Sequence, residues 1–272
     1  MEPSLSPQLC AIFATLVEDA CGIHYGGPDR EIFAAKLSAH AADLGYDSLL
    51  DYYYRLRYDD LDGVEKTRLI EALVVHETYF FRELPPLEQL VDGHLAGVVA
   101  SRGRARVWSA ACSTGQEPLT LAMLLDDRGL LDRVELVASD ISSQAIAQAT
   151  SGRYRPRALR DGHSAELAAR YLEIGPRELT IAPRILGAVR FQTLNLFDGV
   201  AVRALGMFDV ILCRNVLIYF HDTQVKRVID RLAGMLVPDG LLAVGVSESL
   251  LRFGTALVCE ERGSAFFYRR AR

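Results

Sequence analysis

The 272-residue chain is half apolar, carries a formal net charge of −5 and has a pI near 5.7. That much apolar material fills one large domain, or a medium and a small one. The acidic balance excludes a nucleic-acid partner on a duplex, which needs a clustered basic face. The five cysteines (Cys10, Cys21, Cys112, Cys213 and Cys259) form no CxxC pair and no metal-ligand spacing, so they read as reduced thiols with no metal. No basic leader opens the chain, and no apolar run approaches the roughly 18 residues that span a bilayer. The expectation is a cytoplasmic protein without direct membrane insertion.

Residues 1–74 read as a small all-α domain. Leu9, Ile12, Phe13, Leu16 and Val17 recur at helical spacing, as do Ile32, Phe33 and Leu37, with Gly22, Gly26-Gly27-Pro28 and Gly45 as breaks. A further segment, Gly63 to Val75, puts Val64, Leu69 and Leu73 on one face, with Val74 at its margin. Pro85-Pro86 then reads as a stop. From Arg104 short apolar strands alternate with amphipathic helices. Strands are expected at Val107–Ala111, Val134–Ala138, Phe208–Cys213 and Leu241–Val246. Helices are expected at Leu119–Leu125, Ser142–Thr150 and Asp222–Leu236, the last ended by Pro238-Asp239-Gly240. Such alternation implies right-handed crossovers and a mainly parallel sheet. Ala256–Glu260 and Ala265–Arg269, around Glu261-Arg262-Gly263-Ser264, read as an antiparallel hairpin on the sheet edge. Residues 161–189, with Leu179-Thr180-Ile181 and Val189-Arg190-Phe191, read as a small β-rich insertion. A mainly parallel α/β sheet closed by an antiparallel hairpin is the pattern of the common methyltransferase fold.

Sheets of this kind bind ligands at the carboxyl ends of their strands. The first strand feeds Cys112-Ser113-Thr114-Gly115-Gln116-Glu117-Pro118 and then a helix. Gly115 permits close backbone approach, Glu117 places a carboxylate at the helix start, and Pro118 suits the first turn. One glycine does not make the GxGxxG cradle for a pyrophosphate, whereas a sulfonium cofactor needs no anion cradle. A purely structural turn is an equal reading of this loop alone. The second strand ends at Asp140, 25 positions after Gly115, where an acid can accept from two ribose hydroxyls. Its alternative role is an N-cap for the helix near Ser142.

The segment Val75-His76-Glu77-Thr78-Tyr79-Phe80-Phe81-Arg82-Glu83 resembles the chemotaxis receptor methyltransferases, the CheR family. So do Trp108 to Pro118, Ala138-Ser139-Asp140-Ile141, Leu194-Asn195-Leu196 and Cys213-Arg214-Asn215-Val216-Leu217-Ile218-Tyr219-Phe220. The motifs span 75 to 220 in the family's order and spacing. The resemblance implies a Rossmann-like class I S-adenosylmethionine methyltransferase fold over 75–272, with the all-α N-terminal domain and the β insertion. It implies S-adenosyl-L-methionine as cofactor and S-adenosyl-L-homocysteine as product. His76, Thr78 and Arg82 would contact the cofactor from the segment joining the domains. Glu117 and Asp140 would bind its amino-acid and ribose ends, while Asn195-Leu196 and Arg214-Asn215 would lie beside the adenine and the methionyl portion. Arg82 and Tyr219 would sit nearest the transferred methyl. Read without the resemblance, Arg82 is a surface ion pair with Glu83 or Glu88, and Tyr219 a core aromatic.

The reaction implied is methyl-ester formation on glutamate side chains of a chemoreceptor's cytoplasmic domain, by an enzyme expected to be a monomer. A small-molecule O-methyltransferase, or an inactive docking protein that retains the fold, are the alternatives. Two departures from the family stand out. Position 76, usually asparagine, is histidine. The second N-terminal helix, often rich in arginines toward the receptor, offers only Arg30, Lys36 and His40, offset by Glu31 and Asp43. Two tempting motifs fail. His76-Glu77 does not continue as HExxH, because position 80 is Phe. Arg153, Arg155, Arg157 and Arg160, interleaved with Tyr154 beside Asp161, read as a solvated face rather than a nucleic-acid patch.

Overall fold

The computed structural model describes residues 6–27, 29–160, 164–263 and 265–270. Pro28, Asp161 and Ser264, named above, lie outside the described residues, as do residues 162 and 163 of the expected insertion. The chain divides into two compact units: Met1–Val75 with Tyr219–Gln224, and His76–Ile218 with Val225–Arg272. No helix among the described residues is long and apolar enough to cross a membrane.

The first unit is built on α1 (Pro7–Cys21), α2 (Asp29–Asp43), α3 (Leu49–Tyr54) and α4 (Val64–Leu73). Ser6 caps α1 by accepting from Leu9 N, and Pro7 takes the first turn, where no N–H is required. The buried stripes are Phe13, Val17 and Cys21 on α1 and Phe33, Leu37 and Ala41 on α2. Each steps by four residues, so Ile12 and Ile32, one residue back, rotate about 100° away and are exposed. Val64, expected on the packed face of α4, is also exposed, and Glu65 is buried in its place. Glu65 accepts from Tyr52 Oη at 2.9 Å, lies 3.3 Å from His40 Nε2 and 3.3 Å from Arg68 Nη1. Lys36 Nζ donates to the Leu73 carbonyl at 2.9 Å, at the end of α4. Two of the three basic residues of α2 are therefore spent inside the bundle, leaving Arg30 exposed. The segment Tyr219–Gln224 joins this unit by strand-like pairing: His24 N donates to the Tyr219 carbonyl at 2.8 Å, and Ile23 bridges Phe220.

In the second unit Pro85-Pro86 do not stop a helix; they open one. They occupy the first turn of α5 (Leu84–Gln89), where proline's missing N–H costs nothing. This continues through wider turns at Leu90–Leu95 into α6 (Ala96–Arg102). There follow β1 (Ala105–Ala110), α7 (Gln116–Asp127), β2 (Val134–Asp140), α8 (Ser143–Ser151), β3 (Arg153–Tyr154), α9 (Ala165–Tyr171), β4 (Leu172–Ile174), β5 (Leu179–Ile181), α10 (Pro183–Leu186) and β6 (Val189–Thr193). The chain ends with α11 (Gly199–Ala204), β7 (Phe208–Leu212), α12 (Asp222–Gly234), β8 (Leu236–Ala243), β9 (Leu257–Arg262) and β10 (Ala265–Arg270). The seven-stranded sheet runs β6-β2-β1-β7-β8-β10-β9, parallel except for the terminal hairpin.

Two expected boundaries shift. Val189-Arg190-Phe191 is not part of the insertion: β6 pairs in parallel with β2, Val189 opposite Leu136. The insertion's own three-stranded sheet, β3-β5-β4, instead recruits Arg153–Tyr154 from upstream. Pro238-Asp239-Gly240 does not end the helix but lies inside β8. Phe208 pairs with Leu236 and Val210 with Leu241, so five positions of β8 pass two of β7. Asp239 absorbs this bulge with φ at 64°. The core is a two-sided sandwich, in which Leu119, Leu121, Met123, Leu124 and Leu125 of α7 are fully buried with Val107, Leu136, Val210 and Leu212. Each such side chain contributes about 1.5–3 kcal/mol by leaving water. Trp108 is buried too, with its indole N–H satisfied by Ser139 Oγ at 2.9 Å.

Candidate functional site

Strand order reverses between β1 and β7, so the carboxyl ends of β1, β2, β6 and β7 open onto one crevice. The loop leaving β1 turns sharply: Ala111 and Ser113 hold φ of 59° and 51°, and Gly115 holds 91°. The expected strand therefore stops at Ala110. Gly115 is required twice over, by its φ and because a Cβ there would stand 2.6 Å from the Ala149 methyl on α8.

Asp140, at the end of β2, is 7% exposed. One carboxylate oxygen accepts from Ser113 N at 2.7 Å and the other from Ser142 N at 3.0 Å. Ser142, not Asp140, caps α8, accepting from Ala145 N at 3.1 Å. Burial raises the Asp140 pKa; the Ser142 and Ser113 amides and a charge on His76 pull the other way. His76 itself is exposed and Thr78 half-buried. From the end of β6, Leu194 N donates to the Asp140 carbonyl at 2.8 Å, and Asn195 Oδ1 accepts from Phe197 N at 2.9 Å. The Leu196 carbonyl is held by the Arg231 guanidinium.

A densely bonded group is Arg214, just past β7, whose side chain is 2% exposed. Its Nη1 donates to Glu117 Oε2 at 3.0 Å and its Nη2 to Glu83 Oε2 at 2.9 Å, with the Arg82 and Glu83 carbonyls at 3.2 and 3.3 Å. Ser109 Oγ completes the set by donating to Glu117 Oε1 at 2.7 Å. Glu83 also accepts from Asn215 Nδ2 and from Val246 N, each at 3.2 Å. Burial raises the Glu83 pKa, but Arg214 and these donors more than offset it, and the group sits below the ordinary carboxylate range. Arg82 is less committed. Its Nη1 donates to the Glu77 carbonyl at 3.1 Å, and its Nε stands 3.9 Å from Glu83 Oε1.

Glu83 and Glu248 are the residues that sequence reasoning missed. Glu248 is buried and accepts four backbone amides: Asn215 and Gly245 at 2.7 Å, Leu217 at 2.8 Å and Ile218 at 3.3 Å. It ties the Arg214–Ile218 loop to the turn after β8. Gly245 has no room for a side chain, since a Cβ would lie 2.6 Å from Asn215 Nδ2 and 2.8 Å from Glu248 Oε2. The available signal was an acid, Ser247-Glu248-Ser249, interrupting the apolar run after a strand. Of the ten sequence candidates, nine (His76, Thr78, Arg82, Glu117, Asp140, Asn195, Leu196, Arg214 and Asn215) belong to the sheet unit, and Tyr219 belongs to the helical one.

A family model described as CheR methyltransferase, SAM binding domain, matches residues 76–262. The chain belongs to the CheR methyltransferase family. It is 35% identical over 248 residues to chemotaxis protein methyltransferase 1 of Pseudomonas aeruginosa, covering 88% of this chain and 89% of that protein. It is 33% identical over 256 residues to the chemotaxis protein methyltransferase of Vibrio parahaemolyticus, covering 91% of each. With the Escherichia coli chemotaxis protein methyltransferase it shares 33% over 239 residues, 86% of this chain and 82% of the relative.

The crevice of this CheR family member suits S-adenosylmethionine. The amide of Ser113, which a phosphate would need, is already taken by the Asp140 carboxylate. Glu83 and Glu117 pair with the buried Arg214 guanidinium, and Asp140 adds an acceptor at the end of β2, a lining of acceptors with no cradle for an anion. Ser113 Oγ and Arg214 Nε are buried polar atoms with no protein partner among the described residues, and such atoms call for a ligand or water.

Proposed function

We propose that this CheR methyltransferase forms methyl esters on glutamate side chains of bacterial chemoreceptors, the adaptation step of chemotaxis-type signalling, working as a cytoplasmic monomer on the receptor's cytoplasmic domain. The observation that carries this reading is the family match across 76–262 together with relatives named chemotaxis protein methyltransferase along nearly the whole chain. When bound, S-adenosylmethionine supplies an activated methyl on a sulfonium.

Asp140 accepts from the ribose hydroxyls, keeping lone pairs beyond those its two amides use. Glu117, held by Ser109 and Arg214, faces the amino-acid end. Arg214 and Asn215 flank the methionyl portion, Asn195 and Leu196 the adenine, and His76 and Thr78 complete the site from the segment before Arg82. The acceptor needs no strong base, because glutamate, with an unperturbed pKa near 4.3, is ionised at neutral pH. What remains is orientation of its oxygen toward the methyl, with reacting atoms about 3–3.5 Å apart and water excluded. Arg82 orients that carboxylate by a charge-assisted hydrogen bond. It must not grip it tightly, since the oxygen loses charge as the ester forms.

Three outcomes are expected. Methyl groups transferred to receptor-containing membranes leave as methanol in mild alkali; label that survives alkali would point to another acceptor and end the glutamate reading. Asp140→Ala weakens cofactor binding by about 1–3 kcal/mol, through hydroxyls left without an acceptor. Wild-type affinity also declines in acid, as the raised Asp140 pKa brings its carboxylate to neutrality. Calorimetry that finds equal affinities for the two proteins removes Asp140 from the site.

A further inference from the structure

The arginine-rich stretch 153–160 does more than solvate a face. It runs alongside the segment carrying Arg82: Phe80 N donates to the Ala158 carbonyl at 2.8 Å, Phe80 bridges Leu159, and the Tyr154 ring meets Phe80 edge-on at 5.0 Å. At its end the Arg160 guanidinium lies over the Tyr79 ring at 4.0 Å, and the Arg82 guanidinium stands 5.7 Å from the same ring. Glu77 serves both, its backbone carbonyl taking Arg82 and its carboxylate taking Arg160 at 3.1 Å. Arg153 is paired with Glu178. Arg155 and Arg157 are exposed and have no ion pair among the described residues.

We propose that Arg155, Arg157 and Arg160 form a basic strip leading to Arg82, and that it takes an acidic stretch of the protein substrate flanking the acceptor glutamate. This rests on the glutamate reading above. The physical need is plain. A chain of net charge −5 repels a carboxylate-rich partner, and at physiological salt charges are screened beyond roughly 8 Å. Attraction must therefore come from cations beside the reacting centre. The Tyr79 ring holds Arg160 and Arg82 together, which two guanidinium groups would otherwise resist, and Glu77 offsets only one of their charges. Exposed cations of this kind steer encounter and set salt dependence without entering the chemistry.

The test uses the full chain, with a purified chemoreceptor cytoplasmic fragment as substrate and alkali-released methanol as readout. For Arg155→Glu/Arg157→Glu, KM for the fragment is expected to rise about tenfold or more, with kcat and S-adenosylmethionine affinity unchanged. The fall of kcat/KM with added salt, steep in wild type, should flatten. Arg160→Gln, which keeps the side chain's bulk, should give a smaller shift in the same direction. If wild type makes esters and the variants keep its KM and salt slope, the strip is overturned while the glutamate reading stands. If wild type releases no methanol, the glutamate reading fails and the strip falls with it.

Discussion

Arg82→Ala is expected to lower turnover by roughly 10²–10³-fold, the cost of removing one well-placed donor from a reacting centre, and to leave the protein folded. The structure explains why the two effects separate. Arg82 donates to the carbonyl of an exposed residue, Glu77, and makes a loose 3.9 Å ion pair with Glu83. Such partly exposed contacts are worth about 0–1 kcal/mol to stability. The neighbouring Arg214–Glu83 pair does not depend on the Arg82 side chain, since it draws only on the Arg82 backbone carbonyl. Single-turnover transfer at saturating cofactor, set beside a thermal melt, measures both quantities. A variant with wild-type turnover would reduce Arg82 to the surface ion pair that its neighbours Glu83 and Glu88 suggest in the sequence.

Arg214→Met is expected to destabilise the fold by about 3–5 kcal/mol, because it strands partners rather than removing a pair. Glu83 and Glu117 would both lose a buried guanidinium at about 3 Å. The pH dependence identifies the cause. In wild type the Glu83 pKa lies below the ordinary glutamate value, so this group's stabilising effect is present above that value and lost as pH falls through the lowered one. In the variant the burial of Glu83 is opposed only by Asn215 and the Val246 amide, so its carboxyl pKa rises and the stability deficit is largest at neutral pH. It should shrink as the pH is lowered from neutral and the stranded Glu83 takes up a proton. Denaturant midpoints across that fall in pH read the effect directly. A deficit that stays constant with pH would mean that lost packing, not stranded charge, is responsible.

Several elements were legible because they are local. The Cys112–Pro118 loop, the acid closing β2, the helical stripes of the N-terminal segment and the terminal hairpin all follow from spacing, turn residues and alternation within a short window. The motif set reached further, since the loops leaving β1, β2, β6 and β7, which carry much of it, lie at one end of the sheet once those strands are parallel neighbours. Nothing local in 189–191 distinguishes a strand of the insertion from an edge strand of the main sheet; only pairing with β2 decides it. Likewise Pro238-Asp239-Gly240 has turn chemistry in isolation, and its register against β7 makes it a bulge.

The sequence by itself therefore determined the class of fold and the cofactor chemistry, because those depend on short-range patterns and on motif order. Tertiary structure alone decided which charges are spent and which are available. Lys36 and His40 are consumed by Leu73 and Glu65, Arg214 is buried between two carboxylates, and Glu248 gathers four amides from two loops. A charged side chain's partner can lie 163 positions away along the chain, as Val246 does from Glu83, and no local pattern encodes a contact whose energy depends on burial and on distances of a few ångströms.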